Sequence, residues 1–163
     1  MSLRRSSAAV LAAVLLCPFP GVAQSDTLLV EIAAAKVMQR HQYANGELGL
    51  DPQSAEAGRA PGLPFTARPS ARTQTIARAI HASVRAYSEV RNCGTATRCQ
   101  LHGVVAHLIL SEPSITADTA TITATIWQNS SGVQPVNYES TLIVLRRQGG
   151  VWAVIREEQL GIS

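Results

Sequence analysis

Two spacings of apolar residues divide this chain. Between Asp26 and Tyr43 they return at helical intervals, with Leu28, Ile32 and Ala35 in register and Leu29 and Ala33 beside them. Val30, Ala34 and Val37 widen that surface, and Lys36 falls inside it, its stem packed and its ammonium reaching for water. The spacing predicts a helix over 26–43 that lies on a sheet. Ser25 or Asp26 supplies the N-cap, and Asn45-Gly46 ends the helix with residues that accept positive φ. A second helix is predicted over 71–82, capped by Ser70 just after Pro69. Its stripe is Ile76, Ala79 and Ile80, and Arg72 and Arg78 lie around the other sides. From Val84 to Val90 the residues alternate, which reads as an edge strand, with helix continuation as the alternative.

The later half changes to a period of two. Residues 103–111 form an apolar run closed by Glu112-Pro113. Over 119–127 the alternation is strict, with Ala120, Ile122, Ala124 and Ile126 on one face and threonines and Trp127 on the other. Residues 136–147 and 151–156 follow, separated by Gly149-Gly150. Short connections between these runs predict a four-stranded antiparallel meander. Between the helices, 45–69 holds Gly46, Gly49, Gly58 and Gly62 with Pro52, Pro61, Pro64 and Pro69. That stretch reads as a loop with one short strand at 47–50. The expected fold class is α+β, two N-terminal helices packed on a curved antiparallel sheet of four to six strands.

The segment VNYESTLIVLRRQGGVWAVIREEQ carries a resemblance. A strand leaves Tyr138, ends on basic Arg146, turns at Gly149-Gly150 and re-enters through Trp152. This resembles the last two strands of the nuclear transport factor two-like superfamily, and the likeness covers about residues 103–160. It implies a cone-shaped α+β fold with a pocket between curved sheet and helices. Isomerases, dehydratases and non-catalytic binding or assembly modules all share that fold, so the fold alone decides no activity. A cystatin-like fold, one helix wrapped by a curved sheet, is the alternative.

The chain has 163 residues, enough for one domain with a sizeable core. Apolar residues at 46% against charged residues at 15% exclude a disordered chain. Residues 1–23 read as a secretory signal: Arg4 and Arg5, an apolar stretch Ala8 to Leu16 too short to span a bilayer, then Pro18 and Pro20. Small residues Gly21 and Ala23 place cleavage before Gln24, which leaves a single domain over 24–163 that is exported, periplasmic or secreted. A lipoprotein reading at Cys17 is disfavoured by Leu16 before it and Pro18 after it. Removing the signal takes two arginines and no acid, leaving 12 basic against 11 acidic residues. No basic block remains and aromatics are 4%, so a nucleic-acid partner lacks its footprint. No later segment is long and apolar enough for a membrane span.

In an oxidising compartment Cys93 and Cys99 are expected to pair, a small loop worth roughly 2–2.5 kcal/mol. The alternatives are two separate buried thiols, or zinc held with His102 and His107. The spacing matches no common zinc site, and on one strand 102 and 107 point to opposite faces. No metal and no cofactor is expected. The chain has no nucleophile elbow, P-loop, dinucleotide fingerprint or H-E-x-x-H. Glu112 and Asp118 sit at turns, Glu157-Glu158 follow the last run, and His41 and His81 read as helix-surface residues. His107, opposite Ala106, Leu108 and Leu110 in its strand, is the candidate general base, with Tyr138 or Glu139 as its partner. His107, Trp127 and Tyr138 are the candidate pocket residues. Thr121, Thr123, Thr125 and Trp127 are the candidate face for a homodimer. The expected role is a non-catalytic module that binds a small apolar ligand or a protein partner. An isomerase- or dehydratase-like enzyme, with its pocket between helices and sheet, is the alternative.

Overall fold

The computed structural model describes residues 21–39, 43, 47–52, 54, 69–93, 99–129 and 136–162. Most of the segments expected as a signal at 1–23 and a loop at 45–69 lie outside these residues. The elements run α1 (Gly21–Gln39), β1 (Leu48–Leu50), α2 (Ala71–Ala79), β2 (Ser83–Val84), α3 (Tyr87–Val90), β3 (Arg91–Cys93), β4 (Cys99–Leu101), β5 (Ala106–Leu110), β6 (Ser114–Thr116), β7 (Thr119–Asn129), β8 (Val136–Gln148) and β9 (Val151–Ile162).

The architecture is α+β, with one seven-stranded sheet in the order β2-β1-β5-β7-β8-β9 and β6 also on β7. The predicted meander is present: β5, β7, β8 and β9 are antiparallel neighbours. Two features depart from the expectation of four to six antiparallel strands. First, β1 runs parallel to both β2 and β5, so the sheet is mixed. A parallel return needs a long crossover, and α2 lies within the connection from β1 to β2. Second, the run ending at Glu112-Pro113 resumes as β6. Both β5 and β6 pair with β7, at Ala124–Gln128 and Thr119–Thr121 respectively, so one interrupted strand borders it. Pro113 has no amide hydrogen to give a ladder, and the break falls there.

The β8–β9 hairpin turns where expected. Gly149 and Gly150 both have positive φ, 57° and 82°, which suits a two-residue turn whose twist matches the strands. Arg147 then ties three elements together. Its guanidinium donates to Asp26 in α1 at 2.7 Å and to Asp118 at 3.3 Å, and it lies over the Trp152 ring.

The strict alternation of β7 decides which side is covered. Ala120, Ile122, Ala124 and Ile126 are buried, with Leu108, Leu110, Ile143 and Leu145 of the neighbouring strands. These join Val30, Ala34, Val37 and Met38 of α1 and Ile76 and Ile80 of α2 in one core cluster. The two helices therefore share one face of the sheet, which we call the inner face. The phase of α1 differs from the sequence reading: Val30, Ala34 and Val37 are buried, whereas Leu29 is exposed. α1 starts earlier than the predicted 26–43, and its described part runs to Gln39. α2 begins as predicted, with the Ser70 hydroxyl accepting from the Thr73 amide at 3.1 Å. It ends at Ala79 because His81 is left-handed, with φ of 53°. The alternation over 84–90 forms no single strand. It breaks into β2 and the one-turn α3.

Candidate functional site

Cross-strand register fixes the geometry of the predicted site. His107 stands opposite Trp127, and Trp127 opposite Tyr138. Gly49 of β1 pairs with His107 on the other side. Directly opposed residues share a face, so Gly49, His107, Trp127 and Tyr138 form one row across four strands. That row lies on the outer face, since its neighbours Leu108 and Ile126 point into the helix-covered core. The structure thus brings His107, Trp127 and Tyr138 together, away from the space between sheet and α1.

Tyr87 closes over this row. Its ring centroid lies 5.4 Å from that of His107 and 5.1 Å from that of Trp127, and Trp127 is 5.0 Å from Tyr138. The placement of Tyr87 follows from two carboxylates. Glu89 accepts from the Ala86 amide and Asp51 accepts from the Tyr87 amide, each at 3.2 Å, which caps the short α3. Val90, Leu101 and Val104 pack beneath as a second small cluster, with Tyr87 and Trp127 against it. Arg91 sits over the Tyr87 ring at 5.7 Å.

His107 is 0% exposed. Its Nε2 lies 2.8 Å from the Arg85 carbonyl oxygen. A carbonyl only accepts, so Nε2 carries the hydrogen and Nδ1 holds the lone pair. Nδ1 is buried and has no hydrogen-bond partner among the described residues. Burial pushes the imidazole below its ordinary titration range; the Arg85 carbonyl and the Asp51 carboxylate, 3.8 Å from Nε2, pull the other way without prevailing. His107 is therefore a neutral, enclosed imidazole at pH 7. Gly49 lets the strand lie close beside it: a Cβ there would stand 3.1 Å from the imidazole Cδ2 and 3.3 Å from Val104 Cγ1, a tight contact the ring would have to relieve.

Glu139 is not part of this group. It pairs with Ile126 and so faces the inner side. There the Thr141 hydroxyl donates to it at 3.4 Å, and Tyr43 donates to Gln128 at 2.8 Å. Burial, then the Glu139 charge, raises the Tyr43 phenol above its usual range.

The sequence reading missed a second buried ionisable group. Glu31 of α1 is 0% exposed and takes both ends of the Arg72 guanidinium from α2, through Nε at 2.7 Å and through Nη2. Burial lifts its carboxyl to about 7, against the pull of Arg72, which is itself 37% exposed and screened by solvent. An acid flanked by Val30 and Ile32 was a weak signal, and its partner lies 41 residues away.

Cys93 and Cys99 are opposed residues of the antiparallel β3–β4 pair. His102 is exposed, and among the described residues no three His, Cys, Asp or Glu side chains gather as a metal site. No helix of the described residues is long and apolar enough to cross a membrane.

What the fold defines is an α+β protein with a mostly antiparallel mixed sheet, helices on the inner face and an aromatic row on the outer. No protein-family model and no curated protein matches the chain. Among solved structures it is similar to a Xanthomonas campestris protein described as a calcium/calmodulin dependent protein kinase II association domain. The match covers 91% of each chain at 13% identity, with a TM-score of 0.26. A likeness this distant transfers neither fold detail nor activity.

Proposed function

We propose that this chain is an exported, non-catalytic interaction domain with a nuclear transport factor two-like architecture, and that its outer sheet face docks a second copy of itself. The observation that carries this reading is the face beyond Trp127. Thr121, Thr123 and Thr125, with Ile109 and Leu142, are half-buried there while α1 and α2 lie on the other side. Strands of 11, 13 and 12 residues make that face. At about 4.8 Å spacing and about 3.3 Å rise they offer on the order of 500 Å² in projection. A stable dimer buries about 800 Å² of accessible surface per partner, so the face is of the right order. Ile155 and Leu160, exposed at 47% and 54%, stand at the two register shifts of β9, while Glu158 and Arg156 oppose Leu142 and Val144 at the edge of that face.

Catalysis by His107 is disfavoured by its enclosure and by Glu139 facing the other way. A protein partner is favoured over a small apolar ligand by the inner face, where Ala120, Ile122, Ala124 and Ile126 join side chains of α1 and α2 in one buried cluster. Export is supported by the sequence of residues 1–23, and an oxidised Cys93–Cys99 pair by the opposed register of the two residues.

Light scattering on the 24–163 chain between 1 and 100 μM tests the reading. A dimer is expected, and Thr123→Arg should return it to a folded monomer that has lost the concentration dependence of its melting temperature. A monomer throughout that range, or a dimer indifferent to Thr123→Arg, overturns it.

A further inference from the structure

The enclosed His107 has no part in docking a second copy, and its surroundings suit another task. Four observations converge on it. The imidazole is fully buried inside a β-sheet row. Its one hydrogen bond, from Nε2, goes to the backbone of the segment that covers it, at Arg85. The atom that would take a second proton, Nδ1, faces no acceptor among the described residues. The cover, Arg85 to Val90, ends in the helical turn Tyr87–Val90 and is held by Asp51, Glu89 and the Tyr87 ring, by the Arg85 amide donating to the Leu50 carbonyl at 3.0 Å, and by the Val90 carbonyl accepting from the His102 amide at 2.7 Å.

We propose that His107 is an acid-operated latch: a proton added at Nδ1 creates a buried N–H with nothing to receive it, and the segment Arg85–Val90 lifts from the outer face so that the imidazolium reaches water and Trp127 is bared.

The charged and titratable groups around the ring set the balance. From the end of β1, Asp51 is the nearest carboxylate. It stands 3.8 Å from Nε2 and accepts from the Tyr87 amide, and no hydrogen bond joins it to Nδ1. From β7 the neighbour is Trp127, which carries no charge. From the covering segment come the neutral Tyr87 phenol, Arg85 through its carbonyl, and Arg91 over the far side of the Tyr87 ring. None of these supplies an acceptor at Nδ1. The direction of titration agrees: burial already holds the imidazole neutral below its ordinary range. A proton forced onto it favours the open state by about tenfold for each unit that separates the closed titration point from the ordinary one.

The test uses the 24–163 chain carrying Trp152→Phe, so that emission comes from Trp127. Hydrogen exchange across 85–91, corrected for the intrinsic pH dependence, is followed from pH 7.5 to 5.0 with Trp127 emission. Exchange in 85–91 should rise at least tenfold and the emission should shift red, while β7 and β8 stay protected. His107→Gln, which cannot titrate, should abolish both changes. Should that variant not fold, imidazole nitrogen resonances of the wild-type chain decide. They should show the Nε2–H tautomer at pH 7.5 and a midpoint below 6.5 that coincides with the exchange change. Titration of His107 with 85–91 still protected overturns the latch, as does the same loss of protection in His107→Gln. Dimer formation is read separately by light scattering, so failure of either idea leaves the other standing.

Discussion

The Glu31–Arg72 pair makes a quantitative prediction about stability against pH. The perturbation is Glu31→Gln, which keeps the shape and removes the titration. In the folded chain the Glu31 carboxyl sits at about 7, against an ordinary value of 4.5, because burial outweighs the screened pull of Arg72. The folded state therefore binds this proton more tightly than the unfolded one. Its contribution is fully present below pH 4.5 and is lost as pH rises through about 7. With about 1.4 kcal/mol for each unit of difference, the loss across that window is about 3 kcal/mol. The assay is urea unfolding of wild type and variant in parallel from pH 4 to pH 8. Subtracting the two curves cancels the titrating groups that do not interact with Glu31, which leaves Glu112 as the carboxylate coupled to it. The wild type should lose about 3 kcal/mol relative to Glu31→Gln between the two ends. Parallel curves would falsify the premise that burial governs this carboxyl, and would mean that Arg72 keeps it ionised throughout. Arg72→Met sharpens the test: with the cation removed, the decline should continue above pH 7 rather than level off, and the variant should be about 3–5 kcal/mol less stable at pH 8.

Four further outcomes are expected. Ile122→Ala, at a buried inner-face position, should cost about 2–5 kcal/mol in chemical denaturation. Gly150→Ala, at a φ of 82°, should cost about 1–2 kcal/mol and lower the melting temperature without altering the sheet's circular dichroism. Ser70→Ala removes the hydroxyl that accepts from the Thr73 amide and should cost about 1 kcal/mol. Gly49→Ala sets a methyl against the His107 ring; it should cost about 1–3 kcal/mol and raise exchange over 85–91 already at pH 7.5.

Much of this fold was legible because the determinants are local. The strict alternation of β7 named its buried residues, Gly149-Gly150 named a hairpin, and Ser70 after Pro69 named a helix start. What escaped was set by distant partners. The short strand expected at 47–50 is β1, but nothing in Leu48–Leu50 signals its parallel pairing with β2 and β5. Residues 84–90 alternate like a strand, yet Glu89 and Asp51 cap a helical turn there. Glu157-Glu158 read as a solvated end and are indeed exposed, but β8 extends the ladder past them to Ile162. At the candidate site, the shared row of His107, Trp127 and Tyr138 follows from strand parity once the register is known. Parity also sends Glu139, one residue on from Tyr138, to the far side. The Tyr87 lid was not legible, since it depends on contacts from α3 to β5 and β7.

The two fully buried titratable groups, Glu31 and His107, sit on opposite faces of the sheet and act with opposite sign. Glu31, on the helix-covered side, withdraws stability as pH rises from 4.5 to about 7. His107, on the outer side, has its folded titration point depressed; its stability is present above the ordinary 6.5 and is lost as pH falls below it. Just below 6.5 the two trends oppose each other. A whole-molecule unfolding curve is then expected to change less there than either group alone would make it, although neither group is silent. The effects are separable in space, because Glu31 bears on the contact between α1 and α2 while His107 bears on Arg85–Val90. In Glu31→Gln the offset disappears, and the global curve should then fall toward acid with the slope that His107 alone imposes. The double variant Glu31→Gln with His107→Gln should lose the His107-dependent fall toward acid, because both protons are gone. A double variant that still falls toward acid would assign the acid sensitivity to groups other than His107.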